Sequence, residues 1–369
     1  MLDQPPLWFI AIAFICAIGP LVFIHEFGHY IVARWFGVGA ESFSIGFGHE
    51  VVGWTDRRGT RWKVGWLPLG GYVRFVGDMN PASQPPTDDD LSVEQRAVAF
   101  HHKPWWQRFL IVLAGPAANF ILAIAIFATF FGTYGMPSTP PVAAAIAAGS
   151  AAEAAGLKSG DRIVEIAGQS IDSFEDIRRI VLIRPNERVV IGFERIGRRA
   201  DTVALIRSDT VKDDFGQSFK IGLLGIAQPR RVFERPPALE LIPNAVRMTG
   251  AMTRSMVDGL VQIVSGRRST KDLGGPLKMA QIAGQQASLG AFEFIQLLAL
   301  FSINLGFINL LPVPMLDGGH LVFYAVEAVR RRPVSARAQD WAFRGGLALL
   351  LALIVFTTVN DLVSFGLFE

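Results

Sequence analysis

The stretch Leu21-Val22-Phe23-Ile24-His25-Glu26-Phe27-Gly28-His29-Tyr30 sets a His-Glu-x-x-His pattern at the end of an apolar run that begins at Leu7. On a helix, residues four apart share a face, so both imidazoles reach one Zn²⁺ ion and the glutamate stands beside the water on that ion. His25 and His29 are the candidate ligands and Glu26 the candidate base. The run is long enough to enter a bilayer, where ionisable groups are costly and are therefore functional candidates. The plainer alternative is a helix end whose histidines meet lipid headgroups.

Composition fits a membrane protein carrying a soluble insert. Hydrophobic residues are 51% and charged residues 18% of the 369, yet the middle of the chain reads like an ordinary soluble domain. A spanning helix needs roughly 20 apolar residues, and four segments qualify: about Leu7 to Phe36, Phe109 to Tyr134, Phe292 to Leu311 and Ala342 to Phe365. Four crossings put both termini on one side. The residues Met1-Leu2-Asp3-Gln4-Pro5-Pro6 hold no cation, and no small-residue cleavage site follows, so the first segment is expected to stay in the mature protein.

The cations give an orientation. Arg57, Arg58, Arg61, Lys63, Arg74, Arg96, Lys103 and Arg108 follow the first crossing, and Arg330, Arg331, Arg332, Arg337 and Arg344 precede or open the last. Those loops are expected in the cytoplasm, with both termini and the insert outside and the zinc motif toward the inner face. This placement also accounts for a pI near 9.2 without a nucleic-acid partner. The single cysteine, Cys16, is apolar filler in a helix and makes no internal disulfide.

Catalytic zinc usually takes three protein ligands. The candidate for the third is Asp317, in Asn309-Leu310-Leu311-Pro312-Val313-Pro314-Met315-Leu316-Asp317-Gly318-Gly319-His320. Prolines and glycines break the helix there, and irregular backbone at membrane depth is tolerated only inside protein or along a wet cavity. The alternative is an Asp capping the next helix.

With these residues the chain resembles the site-2 proteases, intramembrane zinc metalloproteases, and most closely their bacterial RseP branch. The resemblance rests on the two motifs above, on Gly46-Phe47-Gly48, Leu67-Pro68-Leu69-Gly70-Gly71-Tyr72-Val73 and Gly115-Pro116-Ala117-Ala118-Asn119-Phe120, and on Asn304 and Asn309. It covers nearly the whole chain; His49 departs from it, where the family usually has proline. It implies that His25, His29 and Asp317 hold zinc, that Glu26 activates water, and that Asn304, Asn309, Pro312 and Pro314 help engage substrate. It also implies a multi-pass protein of the bacterial inner membrane, whose partners are the bilayer and single-pass substrates such as anti-sigma factors or remnant signal peptides.

Four parts are expected. Residues 1–139 carry the His-Glu-x-x-His helix, a β-loop and the second crossing; 140–226 form a domain; 227–291 form an extracytoplasmic linker with an amphipathic helix; 292–369 carry Asp317 and the last crossing. Within 140–226, short strand and turn signals surround one helical segment near Ser173 to Leu182. Gly149 to Ile163, with its Gly160-Asp161 turn, resembles a PDZ domain, an α+β fold that accepts a peptide by strand addition; one copy is evident, where the RseP branch is known for two. The domain either recruits a peptide or excludes bulky substrates.

Val64 to Val76 alternates around Gly70-Gly71 and reads as a β-hairpin near the membrane surface. The resemblance implies that it re-enters the bilayer, where its edge at Gly70 and Gly71 would hold substrate extended, and the alternative is a plain cytoplasmic hairpin. Ala238 to Val264 has helical periodicity and lies either on the membrane or on the PDZ-like domain. Asn119, Asn304 and Asn309 either hydrogen-bond substrate and water or bridge helices. His101-His102 is read as a solvated pair without a role. The expectation is therefore a zinc metalloendopeptidase within an α-helical membrane protein. The rival is a catalytically silent membrane scaffold binding partners through its PDZ-like domain, and a zinc transporter is a weaker third option.

Overall fold

Helix α1 (Leu7–Trp35) runs unbroken through the apolar stretch and the His-Glu-x-x-His pattern. It ends in a Schellman motif: Gly37, at φ +69°, donates to the Arg34 carbonyl and Val38 to that of Ala33. This and all that follows is a computed structural model, which describes residues 5–77, 92–212, 218–229, 232–266 and 274–364. Strands β1 (Ala40–Thr55) and β2 (Arg61–Phe75) follow, then α2 (Val93–Val98) and α3 (Trp105–Thr133).

The chain next makes β3 (Met136–Ser138), β4 (Ala145–Ile146), α4 (Ala151–Ala154), β5 (Arg162–Ile166), β6 (Gln169–Ser170), α5 (Phe174–Leu182), β7 (Arg188–Arg195), β8 (Arg198–Leu205), β9 (Arg207–Lys212), β10 (Ser218–Leu223), β11 (Ile226–Ala227) and β12 (Val232–Glu234). It closes with five helices: α6 (Leu241–Val264), α7 (Pro276–Leu289), α8 (Ala291–Asn309), α9 (Asp317–Arg330) and α10 (Ala336–Ser364). The molecule divides into two units, one made of residues up to Ala128 and from Ile242 onward, the other of Thr129–Leu241.

Among the described residues, four helices are long and apolar enough to cross a membrane: Leu7–Trp35, Trp105–Thr133, Ala291–Asn309 and Arg337–Val363. Phe365, where the last crossing was expected to end, lies outside the described residues. Helices α1, α7 and α8 share an apolar core of Ala17, Leu21, Ala283, Leu297 and Phe301. Asp361, near the end of α10, accepts from the backbone N–H groups of Gly275 and Lys278 and so satisfies the first turn of α7.

The hairpin differs from its expectation. Gly70-Gly71 is no turn; β2 runs straight past it, and the chain reverses at Asp56 to Thr60, where Asp56 accepts from the N–H groups of Arg58 and Thr60. An Asp that ties its own following N–H groups defines a tight turn, whereas Gly70 at φ +100° marks a bulge. The strands pair in three stretches: Glu50 to Thr55 with Arg61 to Gly65 round the tip, Ala40 to Phe47 with Leu67 to Phe75 nearer α1, and Ser42 to Ile45 also with Arg61 to Val64. Phe43 stacks on Trp62 at 4.4 Å and packs against Tyr30 and Phe23 of α1, which fixes the hairpin to the helix that carries the histidines.

In the second unit, β6-β5-β7-β8 form one sheet, and β9-β10, β4-β11 and β3-β12 form three separate two-stranded pairs. The expected helix is α5, capped by a reciprocal Ser173/Asp176 box and packed through Phe174, Ile177, Ile180 and Val181 on Ile163, Ile166 and Ile191. Asp161 is buried and receives both Nε and Nη2 of Arg195 at 2.7 Å. Burial alone would raise its pKa, but these bonds and the Lys158 N–H outweigh it and hold the carboxyl below the ordinary range.

Candidate metal centre

α1 brings His25 and His29 to one face, both buried. Asp317 comes from the start of α9, where Leu316 is the N-cap and makes no side-chain bond, so the aspartate does not cap the helix. Gly318 and Gly319 let this first turn lie directly on the preceding loop. A Cβ at either position would strike the carbonyls of Leu310, Leu311 or Val313, so a larger residue there would push Asp317 away.

Three atoms converge: His25 Nε2 and Asp317 Oδ2 are 3.1 Å apart, His29 Nε2 and Asp317 Oδ2 3.5 Å, and the two Nε2 atoms 3.3 Å. Among the described residues these three form the one cluster of His, Cys, Asp and Glu able to hold a metal ion. Tetrahedral zinc with bonds of about 2.0–2.1 Å requires its ligand atoms to stand roughly 3.3–3.4 Å apart, and the triangle matches. Asp317 Oδ2 is buried with no hydrogen-bond donor. His29 Nδ1 sits 2.9 Å from the Ile111 carbonyl, which can only accept, so the proton is on Nδ1 and the lone pair is on Nε2. The His29 lone pair thus faces a carboxylate oxygen, an arrangement that calls for a cation. The residues fit zinc.

The outer partners come from α3, and its close approach depends on glycine. A Cβ on Gly115 would land on the Nε2 edge of the His29 ring, and one on Gly28 would strike the Ala114 carbonyl. Asn119, wholly buried, stands with Nδ2 3.1 Å from His25 Nδ1. Glu26, next to His25 on α1, accepts a hydrogen bond from the Val73 N–H of β2, and a Cβ on Gly71 would meet its Cγ at 3.3 Å.

A cavity of ≈ 470 Å³ opens onto His25, Glu26, His29 and Asp317 and is lined also by Gly70, Gly71 and Asn309. Asn304, Pro312 and Pro314 do not line it, and neither does Asn119; Pro314 instead packs against Gly346 of α10. The sequence reading missed the Ile111 carbonyl, which no side-chain pattern signals, and His320, which lines the cavity beside Asp317 and stands in the same quoted motif. It also missed the ion pair of Arg108 with Glu327 at 2.6 Å, which ties α3 to the far end of α9.

The family model described as Peptidase family M50 matches residues 13–353. The chain is 45% identical over 360 residues to "Putative zinc metalloprotease Atu1380" of Agrobacterium fabrum, covering 96% of this chain and 95% of that protein. It is 38% identical over 375 residues to "Metalloprotease MmpA" of Caulobacter vibrioides, covering 95% and 94%, and 36% identical over 356 residues to a protein of Rickettsia conorii also named a zinc metalloprotease, covering 95% and 98%.

Proposed function

Because the chain belongs to peptidase family M50, the site-2 type of membrane zinc metalloprotease, we propose that it cuts a peptide bond within or beside the membrane helix of a single-pass substrate, at His25, Glu26, His29 and Asp317. The observation that carries this reading is the triangle of Nε2, Nε2 and Oδ2 with edges of 3.1 to 3.5 Å beside a glutamate at the head of a cavity. Zinc held there by His25, His29 and Asp317 would supply Lewis acidity, polarising the scissile carbonyl and lowering the pKa of a water toward about 7. Glu26 takes the proton of the attacking water on its carboxylate and returns it to the leaving amine. The Val73 N–H aims that carboxylate, and Gly71 lets β2 lie close against Val22 and Glu26 of α1, where a Cβ would not fit. Substrate must be unwound to be cut, since the hydrogen bonds and side chains of an intact helix shield its peptide bonds; the edge of β2 at Gly70 and Gly71 offers backbone partners in exchange. Asn309 faces the same cavity and is placed to bond the unwound segment or its water.

The proposal includes the bacterial inner membrane, with both termini and the inserted unit outside and the metal centre toward the cytoplasm, supported by the cations of the hairpin and of the loop before α10. It includes a PDZ-like fold for residues 140–226, supported by α5 and the sheet it covers. It also includes exclusion of bulky substrates as that domain's task. A cavity of ≈ 310 Å³ between α5 and β10, lined by Ile177, Val181, Ile221 and Leu223, is where a peptide would be taken up if the domain recruits instead. Anti-sigma factors or remnant signal peptides are the proposed substrate class.

The test separates metal from turnover. Glu26→Gln should keep about one zinc per chain and lose cleavage, while His25→Ala, His29→Ala and Asp317→Ala should each lose both. Full metal and normal cleavage in Asp317→Ala would refute the assignment. Membranes of cells expressing Glu26→Gln should accumulate single-pass fragments absent from the wild type, which identifies substrates.

A further inference from the structure

We propose that Asn119 is a positioning residue that sets the tautomer of His25, its side-chain oxygen accepting the Nδ1–H so that Nε2 is left bare for the metal. This rests on the reading of His25, His29 and Asp317 as zinc ligands. Asn119 is wholly buried on α3, with its Nδ2 3.1 Å from His25 Nδ1 and its Oδ1 without any partner.

An amide N–H aimed at Nδ1 would make that nitrogen an acceptor and leave the ring proton on Nε2, the atom that faces His29 and Asp317. A histidine in that state has no lone pair for a metal. Turning the amide over exchanges oxygen and nitrogen within the same outline. It gives the buried Oδ1 a donor, puts the proton on Nδ1 and frees Nε2. Metal-bound histidines nearly always donate their second ring N–H to an oxygen in this way, and His29 already does so to the Ile111 carbonyl at 2.9 Å.

One helix therefore orients both rings, from two positions that flank Gly115. The position of Asn119 is itself fixed: its backbone carbonyl accepts from Ser302 Oγ of α8 at 2.7 Å, and Ser302 is wholly buried. Since Asn119 does not line the cavity, it is placed to act on the ring and not on substrate.

The experiment measures zinc affinity of the purified full chain by competition with a chromogenic chelator, with no substrate present. The wild type and His25→Ala come first; wild-type affinity in His25→Ala would refute the ligand assignment and not the role of Asn119. With the assignment standing, Asn119→Leu, of similar size but without an acceptor, should bind zinc about 10- to 100-fold more weakly. Asn119→Asp, which can only accept, should stay within a few-fold of wild type. Unfolding temperatures of the zinc-free proteins should fall by no more than the loss of one buried hydrogen bond gives, while the rise in unfolding temperature on adding zinc should shrink in Asn119→Leu and persist in Asn119→Asp, a split that a merely structural role would not produce. Undiminished affinity in Asn119→Leu overturns the proposal. So does a loss in Asn119→Asp as large as that in Asn119→Leu, the result required if the amide donates. Should Asn119→Leu not fold, the Asp variant decides, together with ¹⁵N-histidine spectra of zinc-free wild type: a proton on Nδ1 of His25 supports the proposal and one on Nε2 refutes it.

Discussion

Replacing Gly115 by alanine adds one methyl group to α3 and should remove the metal from the centre. The new Cβ would fall on the Nε2, Cε1 and Cδ2 atoms of His29, well inside the 3.0 Å that real Cβ atoms keep. The ring cannot swing aside freely, because its Nδ1 is tied to the Ile111 carbonyl at 2.9 Å on the same helix. An ordinary contact of 3.4–4 Å requires a retreat on the order of 1 Å, several times the ~0.2 Å tolerance of a metal–ligand distance. The zinc affinity should fall by at least about 100-fold, about 2.8 kcal/mol, and turnover at limiting zinc should follow. Gly19→Ala is the matched control, since nothing lies within 4 Å of its Cβ; there the change should gain up to about 1 kcal/mol of helix propensity and leave zinc untouched. Zinc per chain by mass spectrometry, chelator competition and melting of the zinc-free forms make the assay. If Gly115→Ala bound zinc like the wild type, the close approach of α3 to His29 would be wrong, and with it the account of why glycine stands there.

Two further predictions address the proposed topology and gate. Accessibility reporters at Arg58 and Arg332 should read cytoplasmic and one at Gly197 extracytoplasmic; an extracytoplasmic signal at Arg58 would overturn the orientation and the placement of the cut toward the inner face. Deleting residues 140–226 with a short bridging linker should leave zinc bound and allow cleavage of substrates whose outer domains are untrimmed. Slower cleavage of trimmed substrate, with untrimmed substrate still refused, would instead show that the domain recruits.

What the sequence determined alone is what short-range geometry dictates. The spacing of His25 and His29 puts them on one face of any helix that contains them, and unbroken apolar length marks α1, α3, α8 and α10 as able to span a bilayer. The helical segment near Ser173 to Leu182, which became α5, was equally local. The hairpin was misread because Gly70-Gly71 and Asp56 to Gly59 both carry turn chemistry; β2 stays extended past Gly71 through its pairing with the strand from Ala40 to Phe47, a contact between segments far apart in the chain. Asp317 was legible only as a residue type on a broken helix, and its arrival within 3.1 Å of His25 depends on how α9 folds back over its own loop. The hydrogen-bond partners of the two imidazoles were not legible at all. One is a backbone carbonyl, which every residue possesses, and the other is an asparagine that the sequence also allows against substrate or a neighbouring helix. Only the approach of α3 to α1, close enough to require Gly28 and Gly115, selects the Ile111 carbonyl and Asn119 from the many groups that could have served.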